Sequence, residues 1–164
     1  MKEKISDYLV QNLTFLPPEL IVLVVSAMPI LELRGGLPLA YLHYDFSLAK
    51  SFILSVIGNI LPIIPILLLF QPVSKWLLRF NWYNKLYNWL HKRTMRKSKD
   101  IEKYGALGLM LFTAVPLPTT GAYSACVAAL LFSIRFHYAF FAISLGVVVA
   151  GILVSLGLLS FSIF

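Results

Sequence analysis

The sequence predicts an all-α integral membrane protein of two inverted repeats, each a re-entrant helical hairpin followed by one transmembrane helix, with interfacial amphipathic helices alongside. Three observations predict it. Apolar residues make up 59% of the chain and charged ones 13%, where soluble domains carry roughly a quarter charged residues. Two polar, proline- and glycine-bearing breaks, Met28–Pro38 and Ala114–Gly121, interrupt hydrophobic sequence, and each is followed by a short apolar piece and then a long apolar run. The net charge of +7 sits between Gln71 and Tyr104, and the remainder is neutral. A basic loop between membrane segments follows the positive-inside rule, so the charge marks a cytoplasmic linker, not a nucleic-acid surface.

Residues 1–17 carry Ile5, Tyr8, Leu9, Leu13 and Leu16 at helical spacing among Lys2, Lys4, Asp7 and Gln11, which predicts a short amphipathic helix in the interface. Glu19 and a stretch of mixed residues separate these lysines from the apolar run 20–28, so residues 1–30 do not read as a cleaved leader.

The first repeat is read over 18–70. Pro17-Pro18-Glu19 suits a helix start. The apolar run 20–31 reaches only ~18 Å at 1.5 Å per residue, short of the ~30 Å hydrocarbon core. Pro29, Gly35, Gly36 and Pro38 each disfavour a helix interior, by ~3 kcal/mol for proline and ~1 kcal/mol for glycine. A re-entrant hairpin over 18–43, with the break at its tip, is therefore preferred to one kinked spanning helix. Such backbone is tolerated at membrane depth only where protein or a wet cavity surrounds it. Residues 46–70 then read as a transmembrane helix, in which Pro62 and Pro65 predict a kink and Asn59 should face protein.

Over 71–104 the aromatic residues Trp76, Phe80, Tyr83 and Tyr87 alternate with Lys75, Arg79 and Lys85, and the basic run 91–99 follows. This predicts an amphipathic cytoplasmic linker held to anionic lipid. The second repeat, 105–164, pairs a hairpin over 105–133 with a transmembrane helix over 136–163. Pro29 and Pro116 lie 87 residues apart, as do the starts of the long runs to within a few residues. Each unit crosses once, so the two are inverted and both termini lie outside. Inverted repeats with broken helices recur among transporters.

Charged groups inside a membrane are functional candidates by default. Candidate site residues are Glu32, Arg34, Gly35, Gly36 and Asn59 at the first tip and Pro116, Pro118, Thr119, Thr120 and Gly121 at the second. Thr119 or Thr120 suits an N-cap for a helix beginning near Gly121, whose N-terminus favours an anion. With Arg34, a phosphate or carboxylate head group fits, and Glu32 fits as a proton or cation carrier. The bland alternative is a structural pairing of Glu32 with Arg34 or Asn59. His43, His91 and His137 lack ligand spacing, so no metal is expected. Cys126 reads as a small packing residue. Ser124 and Ser133 lack a base partner, and no nucleotide loop is present. Neither an enzyme nor a cofactor is expected.

Glu32-Leu-Arg-Gly-Gly-Leu-Pro, with Pro116-Leu-Pro-Thr-Thr-Gly-Ala and the apolar Cys126–Phe132 after it, resembles the small multidrug export protein family of prokaryotic membrane proteins. That family looks related to the DedA/VTT superfamily, which implies re-entrant hairpins, inverted repeats and, in some members, translocation of lipids such as undecaprenyl phosphate. The superfamily places arginines around its second tip, where this chain has Thr113 and Thr119. The expected function is proton-coupled translocation of an anionic lipid or small anion in a prokaryotic plasma membrane. The alternatives are export of cationic drugs with Glu32 as counter-ion, and a scaffold that transports nothing. Two spanning helices per chain can hardly enclose a path, so a homodimer is expected.

Overall fold

The computed structural model describes residues 16–69, 79–81, 84–85, 98–115, 121–132 and 134–162. The interfacial helix expected before Leu16 and most of the 71–104 linker lie outside these residues. The described elements are helices α1 (Pro18–Ser26), α2 (Glu32–Pro38), a π-helical turn (Leu39–His43), α3 (Leu48–Ile60), α4 (Ser98–Ala114), α5 (Ala122–Leu131) and α6 (Phe136–Ser162). The chain forms two compact units, residues 1–62 with 147–164, and residues 63–146.

In the first unit α1 opens on Pro18, whose missing N–H costs nothing there. It stops at Ser26 because Pro29 follows within three residues. The chain then turns through Ala27–Leu31 and returns as α2. Ile21, Val25 and Leu31 form one buried cluster, with Leu16, Met28, Leu39 and Tyr44 packed on it. α1 packs against both α2 and the π turn, so the two arms lie side by side. Lys50 Nζ, at the start of α3, sits 2.7 Å from Glu19 Oε1, at the start of α1. The same ammonium lies 3.9 Å over the Phe46 ring. α1 and α3 therefore begin at one end of the unit, where the π turn also finishes.

The break is narrower than the sequence suggests. Gly35, Gly36 and Pro38, expected at the tip, lie inside α2. The irregular backbone is confined to Ala27–Leu31, and even there Met28 N–H donates to Val25 O and Glu32 N–H to Met28 O. Pro38 cannot donate to the carbonyl of Arg34, and the next turn is wound wider, with Tyr44 N–H reaching Leu39 O.

Ser47 caps α3 by accepting from Lys50 N–H, so the helix starts at Leu48, not at Phe46. It is interrupted at Leu61–Pro62 and resumes over 63–69, the break expected from the prolines. Leu48–Leu69 and Phe136–Ser160 are long and apolar enough to cross a membrane, and only 28% and 44% of their apolar windows are buried within the protein. Ile53, Ile57, Leu61, Ile64 and Leu68 form an exposed stripe at steps of three and four along the first of them. In water such a stripe is unfavourable; in lipid it is the outer face. Every described element is helical, and the two long exposed apolar helices mark a membrane protein.

In the second unit α4 starts at Ser98, seven residues inside the stretch read as linker. α5 packs on α4 through small residues: Ala122, Ala125, Cys126 and Ala129 are all buried. Cys126 is in no disulfide and is fully enclosed, which fits the packing role.

Candidate functional site

The site is built around the point where α1, α2 and α3 meet in the first unit. Ser26 closes α1 and is fully buried. A Cβ added at Gly36 would fall onto the Ser26 hydroxyl, and would stand 3.3 Å from Ser26 Cα. One added at Gly58 would stand 2.6 Å from the Leu23 carbonyl oxygen and 2.9 Å from Ser26 Cβ. Both glycines are there because two helices approach one serine closely, a small-residue contact typical of membrane helices. Gly35 lacks room for another reason, since its Cβ would lie 2.9 Å from Leu31 Cβ. In the same unit, α6 presents Gly151 to Phe52 and Leu33.

Glu32 starts α2 with φ of 52°. This left-handed conformation is rare for a residue with a Cβ, and strained backbone of this kind gathers at functional sites. Its side chain is 9% exposed, while Arg34 is half-buried on the same short helix. Asn59 follows Gly58 and is buried, and its Oδ1 has no hydrogen-bond partner. Glu32, Arg34, Gly35 and Gly36 thus sit on α2 and Asn59 on α3, two helices that pack on each other.

Sequence reasoning missed Ser26, Ser51 and Ser55, all fully buried. Ser51, Ser55 and Asn59 recur every fourth residue, so they line one face of α3. That spacing, inside an otherwise apolar helix, was the available signal. Ser51 donates to Phe46 O at 3.4 Å, but the hydroxyls of Ser26 and Ser55 have no partner. An unpaired buried polar atom costs ~1–3 kcal/mol.

At the second break, Pro116, Pro118, Thr119 and Thr120 lie outside the described residues. The N-cap of α5, expected at Thr119 or Thr120, is Gly121. Its N–H donates to Ser124 Oγ at 3.0 Å, and that hydroxyl donates back to Gly121 O at 3.1 Å. The Gly121 donor is therefore used within the turn.

The family described as "Putative small multi-drug export protein" matches residues 32–153, from the strained Glu32 into the last turns of α6. The chain belongs to this family. Its description points to export across a membrane, in keeping with the two apolar helices, and to a transporter in preference to an enzyme. No curated protein and no solved structure matches the chain. Within the family match fall the whole of α2, the Asn59 stripe and the second break.

Proposed function

We propose that the chain is a membrane transporter that translocates an anionic lipid or small anionic molecule, coupled to protons, through a site near the bilayer midplane. The hairpin of α1 and α2 carries the reading. The Glu19–Lys50 pair, which joins the start of α1 to the start of α3, and the packing of Tyr44 on the α1 cluster support arms that start and finish at one end of the unit. α1 has nine residues, ~14 Å at 1.5 Å per residue, about half the ~30 Å core. A re-entrant hairpin of that length holds Glu32 and Arg34 near the midplane. Arg34 is the group to hold the anion, Glu32 the group to carry the proton, and the second tip over Pro116–Gly121 completes the path.

Inverted repeats are supported by one packing joint that occurs twice. In the first unit Gly58 closes on Leu23 O and Ser26 Cβ. In the second, a Cβ at Gly146 would stand 2.7 Å from Met110 O and 2.6 Å from Thr113 Cβ. Leu23 and Met110, and Ser26 and Thr113, are 87 residues apart, and Gly58 and Gly146 are 88 apart. With two spanning helices per chain, a homodimer encloses the path in a prokaryotic plasma membrane, with the basic linker cytoplasmic and lying on anionic lipid.

The test reconstitutes wild type, Glu32→Gln and Arg34→Gln in vesicles and follows anionic lipid exchange and proton flux. Both variants should express normally and lose activity. Dependence on Glu32 alone, with cationic dyes moved, selects a cation exporter with Glu32 as counter-ion. Unchanged vesicle permeability for wild type, with both variants misfolded, selects a scaffold. Reporter fusions at Met1, Phe164 and within 92–99 place the ends. Four plain spans would put all three reporters in the cytoplasm and end the midplane reading.

A further inference from the structure

At the end of the first unit where α1 and α3 begin, two opposite charges meet in the open. Lys50 Nζ and Glu19 Oε1 are 2.7 Å apart, and the two side chains are 44% and 42% exposed. The pair rests on aromatic rings. The ammonium lies 3.9 Å from the centroid of the Phe46 ring. Phe46 stacks on Tyr44 at 5.8 Å, and His43 meets Tyr44 edge-on at 4.9 Å. Tyr44 in turn packs on the buried cluster of Ile21, Val25 and Leu31. Aromatic rings beside a lysine with a long apolar stem mark the level of lipid head groups. The apolar span begins at Leu48, so Lys50 lies in its first turn.

Lys50 also heads the lipid-facing row of α3. Lys50, Ile53, Ile57 and Leu61 follow one another at steps of three and four, and all are exposed. Leu61 is eleven residues beyond Lys50, ~16 Å at 1.5 Å per residue and about half of the ~30 Å core. That is the depth of one leaflet. Charge at the head and one leaflet of apolar side chains below it is the layout of a phospholipid lying along the helix. The charges select its head group. An ammonium has three donors and a carboxylate about four acceptor positions, so each partner can hold a second group while the pair stays closed. Asp45, the residue before Phe46, is exposed as well. Glu19 and Asp45 outnumber Lys50, which disfavours a purely anionic head group. A head group with a phosphate and a primary ammonium finds a partner for each.

We propose that Lys50 and Glu19 bind the head group of an aminophospholipid, phosphatidylethanolamine. Its phosphate sits on Lys50, its ammonium on Glu19, and an acyl chain lies along Ile53, Ile57 and Leu61. This lipid is held at the edge of the unit and not carried through it, and the test reads binding alone, so the site and the transport reading fail separately. The purified protein in detergent is titrated with phosphatidylethanolamine, phosphatidylcholine or phosphatidylglycerol of matched chains, and bound lipid is counted by native mass spectrometry. The first two share a phosphate and zero net charge, but choline has no N–H to donate. Wild type should bind phosphatidylethanolamine about threefold more tightly than phosphatidylcholine, the weight of one exposed charge pair. Glu19→Gln should abolish that ratio and bind phosphatidylglycerol more tightly than wild type does, because an acid beside Lys50 is gone. Lys50→Gln should weaken phosphatidylethanolamine and phosphatidylcholine alike. Equal binding of these two lipids by wild type overturns the proposal, as does a ratio that Glu19→Gln leaves unchanged, or Lys50→Gln binding both as wild type does. The wild-type comparison needs no variant, so it decides even where a variant misfolds. Phosphatidylethanolamine binding that persists while no anionic lipid moves leaves this site standing and removes the transport reading.

Discussion

Gly58→Ala puts a Cβ 2.6 Å from a backbone oxygen, 2.9 Å from Ser26 Cβ and 3.0 Å from Leu23 Cα. Two of these obstacles are backbone, so no rotamer change relieves them, and α1 and α3 must move apart. Overpacking of this sort costs ~1–3 kcal/mol, and a backbone obstacle belongs at the upper end. Alanine returns ~1 kcal/mol of helix propensity over glycine, leaving a net loss of ~2 kcal/mol. For a chain of this size that is a fall of ~4–8 °C in melting temperature. Gly157→Ala is the matched control. It lies in α6 with nothing within 4 Å of its added Cβ, so it should gain the ~1 kcal/mol of propensity and melt ~2–4 °C higher. Gly146→Ala should fall with Gly58→Ala, since Met110 O and Thr113 Cβ obstruct it equally. Thermal size-exclusion of the detergent-solubilised variants reads all three. If Gly58→Ala melts at or above wild type, or moves in the same direction as Gly157→Ala, the close approach of α1 and α3 is wrong and the duplicated joint goes with it.

Other outcomes follow from single contacts. At Glu32 the left-handed φ makes glycine the better small replacement, so Glu32→Gly should be more stable than Glu32→Ala by ~1–2 kcal/mol, the reverse of helix propensity; a normal ranking in melting experiments removes the strain. Ser124→Ala frees the Gly121 N–H and should loosen the start of α5 by ~1 kcal/mol. The fully buried Cys126, the chain's single cysteine, reports this directly as faster labelling by a thiol reagent. The hydrogen bond from Lys50 holds the Glu19 carboxyl below its ordinary value. A depressed carboxyl stabilises above its unfolded pKa, ~4.3 for Glu, and the contribution disappears as pH falls through the folded value. Wild type should therefore exceed Glu19→Gln in melting temperature at pH 7, with the difference shrinking as pH falls below the unfolded value and vanishing below the folded one. The difference should be small, because both partners are about two-fifths exposed.

The helical membrane class and the two long spans were legible in the sequence because they depend on run length and composition, which need no partner. The interruption of α3 was legible too, since Pro62 and Pro65 act on their own helix. The glycines were not. Gly35-Gly36 beside Pro38 reads as a loop tip, but a glycine serves a turn and a close helix contact equally well. What decides between them is Ser26, ten residues back on another helix. The start of α4 was hidden by charge: the residues from Ser98 to Lys103 carry both signs, two lysines and two acids, and charge alone does not separate a linker from a solvated helix end. The strain at Glu32 has no sequence signature, because φ there is set by how the chain re-enters α2 after Pro29.

The serines and Asn59 show where a single sequence can be pressed harder. Ser51, Ser55 and Asn59 repeat at four residues, which marks a helix face as surely as leucines would, yet small polar residues in an apolar run read as tolerated noise. Laying one half of the chain on the other removes that ambiguity. Where the halves make the same contact, Gly58 on Ser26 and Gly146 on Thr113, similar small residues recur, and packing accounts for them. Where one half keeps Ser55 and Asn59 and the other has Ile143 and Val147, packing accounts for the second pair only. Burying a hydroxyl and an amide in an apolar helix costs free energy that Ile143 and Val147 do not incur.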